Sequence, residues 1–586
     1  MLNFSCVLCF YHSLLRIMLA RFFKQGCRQD WVFSIIFVIT IYFSVIYSIP
    51  TYAPKFEHDD GLFISQALSI ASGNWLGEDY GVLTLIKGPY HSIQIWLSSL
   101  IGLPPLLGLR MFYAASSIFF CSVALRSLPT FLKSLALVCL LFDPVLIGSE
   151  VGWRLLRAAS YVPIELLALT FGIYSLDTIT SITTQQSSFN LKKQRIVACS
   201  IILAYFFLGL LLITREARIV VISTCAVYTF LLLRQVWKSK LLIKINSTKL
   251  ISIVLVTILA FNVPVVSIRL LNQANYGLAI SNEFEEGNFK PFYEKLSSVK
   301  IVDSEYQPFI PIKQESINMI ISLSGTNELA STLSNLNEVW IKHGCLLREE
   351  WCNEYASGWF MWALRDAIFR TFDIKSPAVF QAKVIDLSSR LDELCNSSSE
   401  FLTCARSTFG YLPYPSRWTS NDESLAMIIL DSSRALFNWM ITPNPFNYNA
   451  IAEDNNNPAR IMGVSLPSDN TLEELNRSNQ KIVTLNKLSA LLRKSLLSSF
   501  FIIVLISVFC NPRLLSVFFD TGLIYILTFF MATFIVIVLV HVTSFPAYVY
   551  LSLASPLLTL FIWRYYDRLI SDIKFRYPAD RALELK

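Results

Sequence analysis

The sequence predicts a multi-pass α-helical membrane protein that carries a large, mostly α-helical domain outside the membrane. Hydrophobic residues make up 54% of the 586 residues and charged residues only 16%, whereas soluble chains carry roughly 25% charged residues. The apolar residues gather in about ten runs of roughly 17 to 22 residues, which is the length that a helix needs to cross a bilayer. This pattern excludes soluble enzymes, secreted disulfide-rich domains and proteins with a nucleic-acid partner.

The apolar runs define ten predicted spans. They cover residues 31–50, 107–125, 131–147, 159–176, 196–213, 217–233, 250–268, 496–510, 522–541 and 546–563. Residues 31–271 then form a first membrane module and residues 496–563 a second one. Residues 1–30 would be a cytoplasmic segment, in which Met18 is an alternative start to Met1, and residues 564–586 a cytoplasmic tail.

Basic residues predict the orientation, because cytoplasmic loops carry an excess of Lys and Arg. Such residues gather before the first and the seventh spans, at Arg16, Arg21, Lys24 and Arg28 and at Arg234, Lys238, Lys240, Lys244 and Lys249. We therefore predict both termini in the cytoplasm, residues 272–495 outside, and a location in the plasma membrane or a bacterial inner membrane. Lys487, Arg493 and Lys494 break the pattern, and we interpret them as contacts to lipid headgroups.

Residues 272–495, called the large domain below, read as mostly helical. Ser376-Pro377 and Thr471-Leu-Glu-Glu474 both match helix starts. The aromatic segment 359–369 favours a core helix over a carbohydrate-binding surface.

The large domain contains four cysteines, in two close pairs. An even number at short spacing predicts the disulfides Cys345–Cys352 and Cys395–Cys404 in an oxidising compartment. Zinc binding, with His343, is the alternative, and the spacing of the cysteines disfavours it.

The first loop, residues 51–106, contains the residues that indicate chemistry. The carboxylates Asp59 and Asp60 open a segment whose apolar residues lie on one side, as expected of a helix on the membrane surface. Lys87-Gly88-Pro89 follows, and then an apolar stretch, residues 93–103, that is too short to span.

These motifs, in this order, resemble those of the GT-C glycosyltransferases that use polyprenyl-phosphate sugars, among them protein O-mannosyltransferases and lipid A aminoarabinose transferases. The first outer loop of that superfamily starts with an acidic pair, passes a Gly-Asp/Asn-Trp-like turn and reaches a Lys-Pro element. The matching residues here are Asp59-Asp60, Gly73-Asn74-Trp75 and Lys87-Gly88-Pro89, with Arg154, Arg157 and the segment 214–218 as further matches. The resemblance covers about the first 270 residues, and Lys-Gly-Pro departs from the usual Lys-Pro-Pro.

The resemblance implies a GT-C-like fold and an inverting sugar transfer to an extracytoplasmic acceptor. Asp59 would be the general base, and Asp60 would orient the acceptor or a cation. The cations that would hold the donor phosphate are Lys87, Arg154, Arg157, Arg215 and Arg218. The implied partners are a lipid-linked sugar donor, membrane lipids, and a glycan, lipid or protein acceptor. No cofactor is implied, although His58 and His91 together with the acid pair offer an alternative site for a divalent cation.

Other interpretations of the same residues stay open. Paired acids often form a helix N-terminus, and arginines at span ends often reach lipid headgroups. A transporter or flippase would place ionisable residues deep in several spans, and Glu165 is the clearest such residue. A non-catalytic membrane protein whose large domain binds a partner would also keep this architecture.

Overall fold

The computed structural model describes most of the chain. The described residues are 28–49, 59–185, 191–215, 218–239, 247–301, 310, 312–336, 340–341, 345, 349–355, 357–397, 402–404, 425–445, 471–510, 512–543 and 548–576. Residues 1–27, His58 and His343, on which some of the predictions depend, lie outside this set.

The described chain is built almost entirely of helices. In order they are α1 (Arg28–Tyr47), α2 (Asp59–Ala71), α3 (Tyr90–Leu100), α4 (Pro105–Ala124), α5 (Thr130–Leu141), α6 (Pro144–Gly148), α7 (Ala158–Gln185), α8 (Leu191–Thr214), α9 (Arg218–Lys238), α10 (Ser247–Tyr276), α11 (Phe289–Ser298), α12 (Gln314–Leu323), α13 (Asn327–Asn335), α14 (Ser357–Phe372), α15 (Pro377–Asn396), α16 (Leu425–Ile441), α17 (Leu472–Cys510), α18 (Thr521–Thr543) and α19 (Leu551–Arg576). Two short strands, β1 (Val299–Ile301) and β2 (Leu402–Cys404), pair antiparallel, with Val299 opposite Cys404.

Within the described residues, eight helices are long and apolar enough to cross a membrane: α1, α4, α7, α8, α9, α10, α17 and α18. The chain is therefore a multi-pass α-helical membrane protein, as the sequence predicts. The third and tenth predicted spans do not meet this standard. Helix α5 has only 12 residues and ends just before Asp143. Helix α19 has 26 residues but carries Arg564, Asp567 and Arg568.

Helix α7 lies at the centre of the bundle, where it packs against α4, α8 and α18. Glycines permit the close contacts. A Cβ on Gly172 of α7 would lie 2.5 Å from the Tyr525 ring, and one on Gly209 of α8 would lie 2.0 Å from the Phe261 carbonyl oxygen. Small residues are common where membrane helices approach each other closely.

Basic residues assigned to the cytoplasmic tail are instead buried in α19, which continues to Arg576. Arg564 is fully buried, and its guanidinium nitrogens lie 2.6 Å from Asp177 and 3.3 Å from Asp567. Arg568 also pairs with Asp177. The predicted boundary at residue 563 therefore falls inside a helix, because these charges are neutralised within the bundle rather than by solvent or lipid.

The structure also corrects the prediction that Arg493 contacts lipid headgroups. Arg493 is buried and pairs with Asp143, and its Nη2 donates to the Ser555 hydroxyl oxygen at 3.1 Å. Asp143 also accepts from the Val145 amide at 3.0 Å, at the start of α6. Arg493 is therefore not a headgroup contact, because a buried carboxylate from another part of the chain meets it inside the bundle.

The described part of the large domain is mostly helical, as predicted, and both predicted helix starts are present. The Ser376 hydroxyl accepts from the Val379 amide at 3.4 Å at the start of α15. Thr471 and Glu474 form a reciprocal capping box at the start of α17, with bonds of 2.8 and 3.3 Å. Helix α14 holds the aromatic segment and is largely buried, which agrees with its interpretation as a core helix.

The first loop and the large domain share one apolar core. Leu62, Phe63, Ile64 and Ala67 of α2 are buried in the same cluster as residues of α11 to α15. The apolar side of α2 therefore packs against protein, whereas the sequence predicts that it faces the membrane surface.

The structure joins Cys345 to Cys352 and Cys395 to Cys404, the pairing that the spacing predicts, with Cα–Cα distances of 4.3 and 5.7 Å. Each bond closes a short loop, so each should stabilise the domain by about 2–3 kcal/mol. We expect mass spectrometry of unreduced peptides to recover both linked pairs. Free thiols at these positions in freshly isolated membranes would contradict the pairing.

Candidate active site

The two acidic residues of the first loop each meet a basic residue from another segment. Asp59 and Asp60 form the first turn of α2. The Lys87 Nζ donates to both Asp59 carboxylate oxygens at 2.9 Å. The Arg154 Nε donates to Asp60 Oδ2 at 2.8 Å. The four residues, called the ion-pair cluster below, thus join the start of α2, the segment just before α3 and the segment just before α7.

Burial distinguishes the two acids. Asp60 is fully buried, and Arg154 keeps 14% of its side-chain surface exposed. Asp59 keeps 37% exposed, whereas its partner Lys87 keeps only 12%. Asp59 is therefore the acid of the cluster that an incoming substrate can contact, and Asp60 is suited to holding Arg154 in place.

Neighbouring charges decide the ionisation of Asp59. Partial burial raises the pKa of this carboxyl, but the charges of Lys87 and Arg157, the Lys87 hydrogen bond and the Arg154 charge lower it more. The net pKa lies well below the ordinary value for aspartate, so Asp59 is a carboxylate at neutral pH. The site therefore holds an ionised carboxylate beside a cation.

Lys87 reaches the cluster because the loop approaches α8 closely. A Cβ on Gly88 would lie 2.0 Å from the carbonyl oxygen of Ile213, near the end of α8. The glycine of Lys-Gly-Pro therefore has a steric reason in this chain: any side chain at position 88 would push the segment away from α8 and shift Lys87.

Replacing Gly88 by alanine is therefore expected to reduce thermal stability, by about 1–3 kcal/mol or more because the clashing atom belongs to the backbone. Gly81→Ala is the matched control, since a Cβ there lies 4.0 Å from its nearest neighbour, the Thr84 hydroxyl oxygen. Thermal unfolding of the two variants in detergent measures the difference. Equal stability of Gly88→Ala and Gly81→Ala would contradict this packing.

His91 is not available to bind a metal. Its Nδ1 lies 2.6 Å from the Ser160 hydroxyl oxygen, and its Nε2 lies 2.9 Å from the Leu155 carbonyl oxygen. Burial lowers the pKa of His91 to about 4, which keeps the imidazole neutral. Among the described residues, no three His, Cys, Asp or Glu side chains group as metal ligands do. The alternative of a divalent cation site thus finds no support in this part of the chain.

Arg157 lies beside the ion-pair cluster. It is largely buried, its guanidinium lies 5.8 Å from the centre of the Phe63 ring, and its charge contributes to the lowered pKa of Asp59. The His91 bonds to Leu155 and Ser160 tie this part of the chain to α3.

The large domain contributes an aromatic residue that the sequence assigned only to its core. The Lys87 Nζ lies 5.2 Å from the centre of the Trp362 ring, on α14. Trp362 also packs edge to face with Phe284 at 5.3 Å. Helical periodicity could show that α14 is apolar, but nothing in the local pattern indicates which of its aromatic residues meets the first loop.

Arg215 and Arg218 do not join the ion-pair cluster. They line a cavity of about 250 Å³ between α8, α9 and α10, and none of the described residues around it belongs to the cluster. Arg218 lies 3.3 Å from Glu286, and Arg269 binds the same carboxylate at 2.7 Å. The Arg215 guanidinium stacks 4.0 Å from the centre of the Tyr550 ring. The predicted phosphate-binding cations therefore have different partners: Lys87 and Arg154 pair with the acids of the first loop, whereas Arg215 and Arg218 line the cavity.

The interpretation of the acids as a helix N-terminus accounts for only part of this arrangement. Acidic residues in a first turn stabilise a helix by about 0.3–1 kcal/mol. That effect requires neither the buried arginine that meets Asp60 nor the lysine that bonds both oxygens of Asp59. A carboxylate and cations held together at the end of a helical bundle can accept a proton and hold an anionic leaving group.

No protein-family model and no curated protein sequence matches the chain. Two solved structures do. ArnT from Cupriavidus metallidurans in the apo state is 12% identical, with a TM-score of 0.29, over 93% of this chain and 78% of that chain. ArnT from the same organism bound to undecaprenyl phosphate is 13% identical, with a TM-score of 0.29, over 83% and 82%. At a TM-score of 0.29 neither likeness bears on the activity of this chain.

Proposed function

We propose that this protein is a membrane glycosyltransferase that moves a sugar from a polyprenyl-phosphate donor to an acceptor hydroxyl. The observation that carries the proposal is the pairing of Asp59 with Lys87 at 2.9 Å, beside the buried Asp60–Arg154 pair. It brings together the acid and the cation that the first-loop motifs predict, and it adds Arg154, which lies 94 residues after Asp60.

The reaction would be a single displacement that inverts the anomeric carbon. The acceptor oxygen forms a bond to this carbon while the bond from the carbon to the phosphate oxygen breaks. The electron pair of the broken bond leaves with the polyprenyl phosphate, and the acceptor proton passes to the Asp59 carboxylate. Lys87 and the arginines of the site stabilise the negative charge that develops on the phosphate.

Donor binding would also activate the base. Lys87 lowers the pKa of Asp59 in the free protein, which makes Asp59 a weak base. A phosphate that binds Lys87 replaces the carboxylate as its partner and adds a negative charge nearby. Both changes raise the pKa of Asp59, so its affinity for a proton would increase when the donor is in place.

Arg154 and Arg157 are proposed to support the phosphate from the side of α7. Arg154 is held by Asp60, and Arg157 is largely buried near Phe63. An arginine held in one orientation loses less side-chain freedom when it binds a phosphate. Asp60 would therefore act by fixing Arg154 rather than by accepting a proton.

Arg215 and Arg218 are proposed to contact the lipid side of the donor. Their cavity has an apolar wall that includes Leu212 and Phe261 and a polar rim that includes Glu286. A polyprenyl chain that ends in a phosphate has the same division into an apolar and a charged part.

The acceptor and the large domain are proposed to lie outside the cytoplasm, where two disulfides would persist. A cysteine introduced at Lys375, whose side chain is 78% exposed, should react with a membrane-impermeant maleimide in intact cells. Peptide mass spectrometry measures the labelling. Labelling that requires the cytoplasm to be opened would place the large domain on the opposite side.

The proposal is tested with the purified protein in lipid nanodiscs, supplied with polyprenyl-phosphate sugars that carry a labelled sugar. Transfer of the label to an acceptor by the wild type, and its loss in Asp59→Asn, would support the proposal. Binding of the donor with neither transfer nor hydrolysis would favour a non-catalytic binding protein. Movement of the donor across the bilayer without cleavage would favour a flippase.

A further inference from the structure

A buried ion pair of the large domain lies against the first loop. The Arg365 Nη2, on α14, lies 2.6 Å from Glu283 Oε2, and both side chains are fully buried. Removing two charges from water costs free energy that their attraction often does not recover, so a buried pair is a weak source of stability. Its contacts indicate another role.

Arg365 binds the backbone of the first loop. Its Nε donates to the Val82 carbonyl oxygen at 2.8 Å, and its Nη2 donates to the Thr84 carbonyl oxygen at 3.0 Å. The Glu283 amide donates to the Leu85 carbonyl oxygen at 2.7 Å. Three carbonyl groups within four residues are therefore held by two residues of the large domain.

The Glu283 carboxylate is itself fixed by two further groups. The Tyr80 hydroxyl donates to its two oxygens at 2.8 and 2.9 Å. The Gln381 side-chain amide, on α15, donates to Oε1 at 3.0 Å. The pair thus belongs to a closed network with the loop on one side and α15 on the other, so the loop cannot move independently of the large domain.

The backbone conformation of Leu85 explains why such a network is needed. Leu85 has a φ of +59°, in the left-handed region that residues with a Cβ rarely adopt. Such a conformation persists only where the surroundings determine it. The Glu283 amide holds the carbonyl group of Leu85. Lys87, whose side chain contacts Asp59, lies two residues further along the chain. The left-handed turn therefore sets the direction in which Lys87 leaves the loop.

The same helix of the large domain meets Lys87 a second time. Trp362 and Arg365 are three residues apart on α14 and therefore lie on one face of the helix. Trp362 lies 5.2 Å from the Lys87 Nζ, and Arg365 holds the loop just before it. One face of α14 thus contacts both the lysine and the backbone that carries it.

We propose that the Arg365–Glu283 pair is a positioning device by which the large domain holds Lys87 in place to receive the donor phosphate. This inference rests on the proposed function for the identity of the ligand. The large domain then has a defined part in the reaction, although its two positioning residues do not touch the substrate.

A double-mutant cycle tests the inference. The affinity for undecaprenyl phosphate is measured in nanodiscs for the wild type, Arg365→Gln, Lys87→Met and the double variant. If Arg365 acts through Lys87, Arg365→Gln should weaken binding at least about five-fold in the wild type but less than about two-fold in Lys87→Met. Equal losses in both backgrounds would show that Arg365 acts independently of Lys87 and would overturn the inference.

Two further variants separate positioning from general destabilisation. Arg390→Gln removes an exposed partner of Asp386 on α15 and should leave the affinity unchanged. Glu283→Gln replaces the carboxylate at the centre of the network by an amide of nearly the same size and so removes the charge that faces Arg365. It should therefore weaken binding in the same direction as Arg365→Gln. Normal affinity in Glu283→Gln would contradict the role of the pair.

Hydrogen–deuterium exchange provides a readout that does not depend on the ligand. Arg365→Gln should increase exchange in residues 80–88 by at least about ten-fold, because the network holds this segment through the carbonyl groups of Val82, Thr84 and Leu85 and its loss would let the segment open to solvent. Exchange in α12 and α13 should stay as in the wild type. Unchanged exchange in residues 80–88 would overturn the positioning role. If exchange rises but the wild type does not bind undecaprenyl phosphate, the proposed function fails while the attachment of the loop stands.

Discussion

Asp59→Asn is expected to lower kcat for sugar transfer by about 100-fold or more, since general base catalysis typically contributes 10²–10⁴-fold. Donor affinity should stay the same or increase. Asparagine is the same size and still accepts a hydrogen bond from Lys87, but it no longer neutralises the lysine charge that the phosphate needs. A fall in kcat without a rise in the donor Kd marks a group that acts mainly in the transition state.

Asp79→Asn is the matched control for Asp59→Asn, because Asp79 is an exposed aspartate in the same loop. Its turnover and donor affinity should equal those of the wild type. Steady-state transfer rates and direct donor titrations of the three proteins separate the two parameters. Transfer by Asp59→Asn at the wild-type rate would show that another group takes the acceptor proton.

Lys87→Met should affect mainly the donor Kd rather than kcat, and it should weaken donor binding roughly 10- to 150-fold. This range corresponds to the approximately 1.5–3 kcal/mol that a hydrogen bond to a charged group typically contributes. Methionine keeps most of the apolar length of the lysine beside Trp362 while it removes the ammonium group. Asp59, which is 37% exposed, stays accessible to water in this variant, so we expect little loss of folding stability.

Lys375→Met is the control for Lys87→Met, since it removes an exposed lysine whose partner is the equally exposed Asp373. Its donor Kd should not change. Titration with undecaprenyl phosphate measures all three proteins under one condition. A wild-type Kd in Lys87→Met would exclude Lys87 as a phosphate contact and leave Arg154 and Arg157 as the remaining cations near Asp59.

Local sequence patterns predicted the features of this chain that depend on neighbouring residues. Apolar runs located the helices of the bundle, and the capping residues Ser376 and Thr471 located the starts of α15 and α17. The order of the first-loop motifs indicated that Asp59 and Lys87 belong to one site. In each case the physical signal lies within one segment of the chain or in the order of a few segments.

Contacts between distant segments were not predictable in this way. Arg493 and Arg564 read as surface charges, because loop charge counts treat each basic residue separately. Their partners Asp143 and Asp177 lie hundreds of residues away in the chain and neutralise them inside the bundle. The role of Arg365 could not be predicted for the same reason. The periodicity of α14 does not show that the Arg365 guanidinium binds the backbone of the first loop.

The division of the predicted phosphate-binding cations has the same cause. Arg154 and Arg215 both lie at the ends of predicted spans, so a topology diagram places them at one membrane face. Helix packing then directs Arg154 to Asp60 and directs Arg215 to Tyr550 beside a separate cavity. Their places beside helix ends could be predicted from the sequence, whereas their partners in the bundle required the structure.

The central claim is that the ion-pair cluster binds the phosphate of a polyprenyl lipid, and one comparison tests it directly. Wild-type protein in nanodiscs is titrated with undecaprenyl phosphate and with undecaprenol, which has the same chain without the phosphate. We expect the phosphorylated lipid to bind at least about ten-fold tighter, and this preference to shrink in Lys87→Met. Equal affinity of the wild type for the two lipids would contradict the account.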